Sequence, residues 1–251
     1  MLRGVQVVRL TEFPLSGAQR KDLETQGVCL TDVLFSPEEV EAVRLECQRV
    51  YQKRLEREPG HVAQQVRPFL PKVHTESEIV SEFLRHPVFQ TLSRELVGPD
   101  VDQAWNQACL KLPDPEELTL FPYHQDSAFA EITDVGPGIS CFIALGPLTV
   151  ENGTLGFAKR AYEMRLEHKW NDKHRWWECD VEPFDIVNAV LPPGAMAMYH
   201  RQTPHGSPPN RSTAPREALL VGFGPPGVRL VETGELFGDQ RPLLRGGQLV
   251  P

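Results

Sequence analysis

The triplet His124-Gln125-Asp126, inside LFPYHQDSAF, sets an imidazole and a carboxylate two residues apart. On an extended strand two such side chains leave the same face and could offer one nitrogen and one oxygen to a common metal ion. Alone, the pair is better read as a surface aspartate beside a half-buried histidine. A third group changes the weight. His205 follows the strand-like run AMAMYH, and Arg216 stands eleven residues later at the start of REALLVGF. Two histidines and one carboxylate fill one face of an octahedral ferrous ion and leave three positions for a chelating co-substrate and dioxygen. A guanidinium on the adjacent strand is a planar fork suited to the far end of a dicarboxylate, whereas a surface arginine in an ion pair would contribute little.

Such a pocket needs strands to carry it, and the chain changes character where they would begin. Proline, excluded from helix interiors and central strands, occurs seven times in residues 1–100 and sixteen times in 101–251. The second part therefore reads as short strands with many turns. Candidate strands are 103–112, 118–126, 139–145, 154–158, 195–201 and 216–223, separated by LPDPEE, GPG, ENG, LPPG and SPPN. The first hundred residues read as helical. Ser36-Pro37-Glu38-Glu39 has the form of a capping box, and Val40, Val43, Cys47, Val50 and Tyr51 follow at helical spacing. Thr75-Glu76-Ser77-Glu78 reads as a second helix start. Pro87 opens a third helix, with Phe89, Leu92 and Leu96 on one face and Gly98-Pro99 as the stop. VCLTDVLF (28–35) reads as a strand. Residues 159–193 show no clean period and hold Trp170, Trp176 and Trp177 with His168 and His174. A segment of that length usually serves function or moves, and a lid over the pocket is the expectation.

Length and charge exclude several classes. The 251 residues suffice for one domain and not for two with separate cores. A net charge of −8 argues against a generic nucleic-acid binder, which needs a basic face, but leaves room for a small anion held by a local arginine. No apolar run approaches the roughly 18 residues of a membrane helix. The N-terminal MLRGVQVVRLTEFPL lacks the apolar core of a signal peptide. Five scattered cysteines without C-x-x-C suggest reduced thiols in a cytoplasm-like compartment.

Taken in order, the motifs resemble those of the phytanoyl-CoA dioxygenase family of iron(II)/2-oxoglutarate oxygenases, over roughly residues 20–224. They are H-Q-D at 124–126, CFIALGPLTVENGTL at 141–155 with its N-G-x-L segment, and LPPGAMAMYHRQTPHGSPPNRSTAPR at 191–216 with H-G-S-x-x-N-x-S…R. The resemblance implies a mainly β fold with N-terminal helices. Its core would be a double-stranded β-helix, a cupin-like jelly roll, at about 101–224, braced by helices over about 1–100 and followed by a tail at 225–251. It implies iron(II) held by His124, Asp126 and His205, with 2-oxoglutarate and O2 as co-substrates and a small-molecule substrate that is oxidised as succinate and CO2 are released. Arg216 would pair with the 5-carboxylate of 2-oxoglutarate. Lys72, in PKVH, stands where relatives often have a lysine reaching the co-substrate, and Phe142 where they often have a flanking aromatic. Gln107 is a further candidate for the same cavity. The retained Asp126 implies hydroxylase rather than halogenase chemistry, because halogenating relatives lack that carboxylate. The same site could instead hold zinc or manganese for a non-redox reaction, or serve a binding protein, although a simple hydrolase has no need of Arg216.

One departure stands out: many relatives follow the N-G-x-L strand with Pro-Gly-Ser/Thr-His, where this chain has Lys159-Arg160-Ala161-Tyr162. Other motifs carry less. Gly222-Phe-Gly-Pro-Pro-Gly227 fits G-x-G-x-x-G, but its prolines lack the amides that cradle phosphate and no helical pattern follows. His200, on the strand leading to His205, reads as a satisfied core histidine.

Overall fold

Side-chain alternation along two long strands decides which residues meet the helices and which meet the cavity. The computed structural model describes residues 13–58, 69–114, 116, 118–128, 132 and 138–251. Along the chain the elements are α1 (Gly17–Gln26), β1 (Val28–Leu30), α2 (Pro37–Arg57), β2 (Phe69–Pro71), α3 (Glu78–Phe83), α4 (Pro87–Leu96) and β3 (Val101–Lys111). Then come β4 (Phe121–His124), β5 (Ile139–Ala144), β6 (Gly156–Ala158), β7 (Lys169–Asn171), β8 (Trp176–Glu178) and β9 (Ile186–Asn188). The last are β10 (Met196–His200), β11 (His205–Ser207), β12 (Arg216–Gly224), β13 (Arg241–Arg245) and β14 (Gln248–Leu249).

The larger antiparallel sheet runs β1–β10–β5–β12–β3–β13–β14, with β2 also beside β3, and the smaller runs β4–β11–β6–β9. On β12, Leu219, Val221 and Phe223 join the core beneath the helices, while Ala218 and Leu220 join the layer between the sheets. The same period of two puts Met196 and Met198 of β10 toward the helices, and Ala197 and Tyr199 between the sheets. This is the expected mainly β fold with N-terminal helices and a jelly-roll core. On the helix side, Val40, Val43, Cys47 and Val50 of α2 and Val88, Phe89 and Leu92 of α4 cover the sheet. Fully burying one such side chain contributes about 1.5–3 kcal/mol.

The local signals hold with adjustments. Ser36 caps α2 in a reciprocal box with Glu39, and Pro87 is the first residue of α4. The second start is capped by Ser77, because Val73–Thr75 forms a separate 3-10 turn. Only 28–30 of the expected 28–35 strand pairs in the sheet; beyond it the Leu34 and Phe35 amides turn to the Gly194 carbonyl. The strand expected over 118–126 is shorter, so Asp126 opens a 3-10 turn (Asp126–Ala128) instead of extending β4. Residues 159–193 are not a periodless loop: β7 and β8 form a hairpin, and β9 is the edge of the smaller sheet. The expected tail also returns to the fold, where β13 pairs with β3 at Arg241↔Gln103.

Candidate metal centre

His124 ends β4, His205 begins β11, and the two are direct partners in the ladder. Their ring centroids lie 4.5 Å apart. Each ring is held the same way. The Nδ1–H of His124 donates to the Pro122 carbonyl at 2.8 Å, and that of His205 to the Thr203 carbonyl at 3.0 Å. A donating Nδ1 leaves the Nε2 lone pair free for a metal. Asp126 Oδ1 stands 4.0 Å from His124 Nε2 and 3.8 Å from His205 Nε2. One ligand atom from each residue lies within 4.8 Å of the others. Asp126 Oδ2 is buried without a hydrogen-bond partner. A buried carboxylate oxygen without a donor is costly, and a cation bound among these three groups removes that cost. The donor set and its orphaned oxygen therefore fit a divalent ion of the ferrous type.

The loop between His205 and Arg216 is built from the residues of the H-G-S-x-x-N-x-S pattern. The Asn210 amide donates to the carbonyls of Lys111 and Ala214, each at 2.8 Å, and its oxygen accepts from the Ser212 amide at 3.0 Å. Ser207 Oγ donates to the Gly153 carbonyl at 2.7 Å. Gly153 has φ +74°, and an added Cβ would stand 2.5 Å from the Pro208 carbonyl oxygen, so the N-G turn requires glycine. These contacts fix the path of the chain between the histidine and the arginine.

Arg216 has the inward parity of Ala218 and Leu220 and is 5% exposed. Its Cζ lies 5.1 Å from the Phe142 ring centroid. Its Nε and Nη1 are buried with no partner. Burial pulls the guanidinium down to about 10, so it is still charged at neutral pH. A buried cation with two open donors is a receptor for an anion.

One cavity of about 260 Å³ is bordered by His124, Asp126, His205, Arg216, Phe142 and Gln107. Six of the seven expected site residues thus meet. Lys72 does not, and that expectation is corrected. Its backbone has φ 57° at the start of the 73–75 turn, and its ammonium, 63% exposed, pairs with Asp239 at 2.6 Å. Lys111 was not singled out. It lies opposite Arg216 in the β3–β12 register, is 2% exposed and lines the cavity. Its ammonium donates to the Ser207 carbonyl at 3.3 Å, and also to Ser207 Oγ and the Pro208 carbonyl. A lysine on the inward parity of a central strand, two residues after Cys109 and four after Gln107, was the available signal.

The three tryptophans of 159–193 have separate places. Trp176 borders the cavity, 4.7 Å from the Phe121 ring and 5.8 Å from the His124 ring. Trp170 and Trp177 pair edge-to-face at 5.7 Å, 50% and 37% exposed. Quenching of tryptophan fluorescence by Co(II) should therefore fall clearly in Trp176→Phe and stay unchanged in Trp170→Phe and Trp177→Phe. Equal quenching in all three variants would contradict this division. The departing turn also has a structural cause. The Arg160 amide donates to the Gln26 carbonyl at 2.9 Å, and Tyr162 Oη donates to the Glu24 carbonyl at 2.5 Å. Gly27, with φ +79°, lets this ring approach; a Cβ there would stand 2.5 Å from Tyr162 Cδ1. His200 packs against Tyr162 with ring centroids 5.4 Å apart and tilted, accepts from the Gln202 amide at 3.2 Å, and is not among the residues lining the cavity. Gly222 of the G-x-G-x-x-G match lies under the Trp105 indole, where a Cβ would meet Nε1 at 2.4 Å.

Comparison with known proteins adds independent findings. Residues 23–218 match the profile described as phytanoyl-CoA dioxygenase. A dioxygenase of Aspergillus terreus (trt7) is 26% identical over 151 residues, covering 58% of this chain and 49% of that protein. A methylphosphonate hydroxylase of Gimesia maris is 30% identical over 101 residues, covering 40% and 37%. The matched region thus spans about half or less of these relatives' length. Among solved structures, EvdO2 of Micromonospora carbonacea var. aurantiaca, complexed with 2-oxoglutarate, has a TM-score of 0.68 at 21% identity, covering 90% of this chain and 97% of that one. The non-heme monooxygenase ThoJ has a TM-score of 0.71 at 20% identity, covering 88% and 87%.

Proposed function

Since the chain belongs to the phytanoyl-CoA dioxygenase family of iron(II)- and 2-oxoglutarate-dependent oxygenases, we propose that it hydroxylates a small or medium-sized metabolite while 2-oxoglutarate is converted to succinate and CO2. The observation that carries this reading is the buried, open guanidinium of Arg216 in the same cavity as His124, Asp126 and His205. A metal centre for hydrolysis has no use for such a group. Iron(II) at the triad would supply dioxygen activation, chemistry that no side chain in the cavity can perform.

The chain's own residues do the rest. The two histidines present Nε2 because their Nδ1 protons are held by backbone carbonyls. Arg216 binds the far carboxylate of the co-substrate and so orients its other end toward the triad. Phe142 lies against that guanidinium and keeps water from it. Phe69, Phe121 and Trp176 form an aromatic wall beside His124, with Phe69 and Phe121 5.7 Å apart. This wall favours an apolar part of the substrate at the site of oxidation and excludes water there. The five cysteines, all buried free thiols, support a reducing, cytoplasm-like compartment.

The test is the anaerobic protein with Fe(II) and 2-oxoglutarate. A weak visible charge-transfer band is the expected result. Iron that binds without any such band would overturn the assignment in favour of a non-redox metal site.

A further inference from the structure

Gln125 separates two of the three proposed ligands, and its side chain is turned away from the cavity into the protein. It is 0% exposed. Its Nε2 donates to the Gln202 carbonyl at 2.7 Å and to the Met164 carbonyl at 2.7 Å. Its Oε1 accepts from the Leu166 amide at 2.8 Å. Its own backbone N–H donates to His168 Nε2 at 3.0 Å. His168 in turn donates from Nδ1 to the Leu166 carbonyl at 2.9 Å, which sets the tautomer that Gln125 needs.

These bonds join three segments that are remote in sequence. The first is the turn that carries His124 and Asp126. The second is the turn before β11, where Gln202 stands three residues before His205 and Thr203 holds that ring. The third is the start of the 159–193 excursion, whose hairpin brings Trp176 against His124. Both amide hydrogens of Gln125 are used. Without them the Met164 and Gln202 carbonyls lose this donor, and the links that the fully buried Gln125 makes between their segments are gone.

We propose that Gln125 is a positioning residue, tying the two histidine-bearing turns and the 159–193 excursion into one unit so that the aromatic wall and the metal ligands hold a common geometry. The inference rests on the metal assignment above. It also assigns the excursion a fixed attachment next to the metal, with any motion confined to residues beyond His168.

The test uses the full chain with Co(II), whose visible spectrum reports ligand geometry. Gln125→Leu keeps nearly the same volume and removes every side-chain hydrogen bond. It is expected to weaken Co(II) binding by about tenfold or more, the scale seen when partners of metal ligands are lost. It should also change the Co(II) spectrum and speed hydrogen exchange of the amides at 164–168. A folded Gln125→Leu protein with unchanged Co(II) affinity and spectrum overturns the proposal, even if its melting temperature falls, because that is the behaviour of a residue serving stability alone. If this variant does not fold, His168→Ala decides, since it leaves the Gln125 side chain in place and removes the acceptor of its backbone N–H together with the Nδ1 bond to the Leu166 carbonyl. Faster exchange at 164–168 with an altered Co(II) spectrum supports the tie, and no change in either overturns it. Wild-type protein that binds no Co(II) instead overturns the metal assignment on which the inference stands.

Discussion

Asp126→Ala is expected to lose product formation altogether while its fold survives. Asp126 is the single carboxylate of the triad and opens a 3-10 turn at the cavity rather than a strand interior. Its Oδ2 is buried without a donor, so the alanine variant leaves no new unsatisfied partner at that atom. The Arg201 guanidinium donates to the Asp126 backbone carbonyl at 3.4 Å, a contact that alanine keeps. The stability change should therefore stay within about 1 kcal/mol, well below the cost of a core deletion. Metal binding behaves differently. The anionic ligand is gone, and two neutral imidazoles hold a hard divalent ion weakly. The checks are iron-dependent succinate formation and a melting curve on the same preparation. Wild-type turnover in the variant would remove Asp126 from the metal site, whereas loss of activity through unfolding would show as a collapsed melting temperature.

Arg216→Ala should weaken 2-oxoglutarate binding by about 1.5–3 kcal/mol, the range for losing a hydrogen bond to a charged group. That is roughly tenfold to more than a hundredfold in Kd. Arg216→Lys keeps the charge but not the fork, and should fall between wild type and alanine. Stability should not follow affinity. Burial holds the Arg216 pKa down at about 10, below its ordinary value, which means the charged guanidinium is disfavoured in the folded protein without its anion. Removing it spares the folded state that penalty at neutral pH, so the melting temperature without co-substrate should hold or rise. Between pH 10 and the unfolded value the wild-type folded state binds fewer protons than the unfolded one. The burial penalty therefore diminishes as pH rises through that window. Lys72→Ala is the control: its exposed ammonium faces Asp239, and 2-oxoglutarate affinity should not change. Unchanged affinity in both Arg216 variants would move the anion site elsewhere, with Lys111 the next cation in the cavity.

Much of this site is legible in residue order because its chemistry is local. A strand of period two puts Arg216, Ala218 and Leu220 on one face, and the H-Q-D and H-G-S patterns name the proposed ligands without reference to distant contacts. Helix starts at Ser36 and Pro87 are equally local, since a cap is made within four residues. What distance in sequence separates, only the packed chain can decide. Lys72 directly follows Pro71, the partner of Gln107 at the end of the β2–β3 ladder, yet a left-handed backbone at Lys72 sends its side chain to Asp239 in the C-terminal segment. Lys111 enters the cavity because β3 pairs with β12 in a register that sets it opposite Arg216, a match across more than a hundred residues. Asp126 reaches the histidines from a 3-10 turn rather than from the strand its spacing suggested. The excursion shows the same division. Composition marks its tryptophans, but their separation into one cavity ring and two outer rings follows from the β7–β8 register Trp170↔Trp177, which turns Trp176 to the opposite face. Periodicity and capping depend on neighbours a few residues apart, whereas the direction of a single side chain into a shared cavity depends on strand register, and register is set by burying both faces of the sheet together.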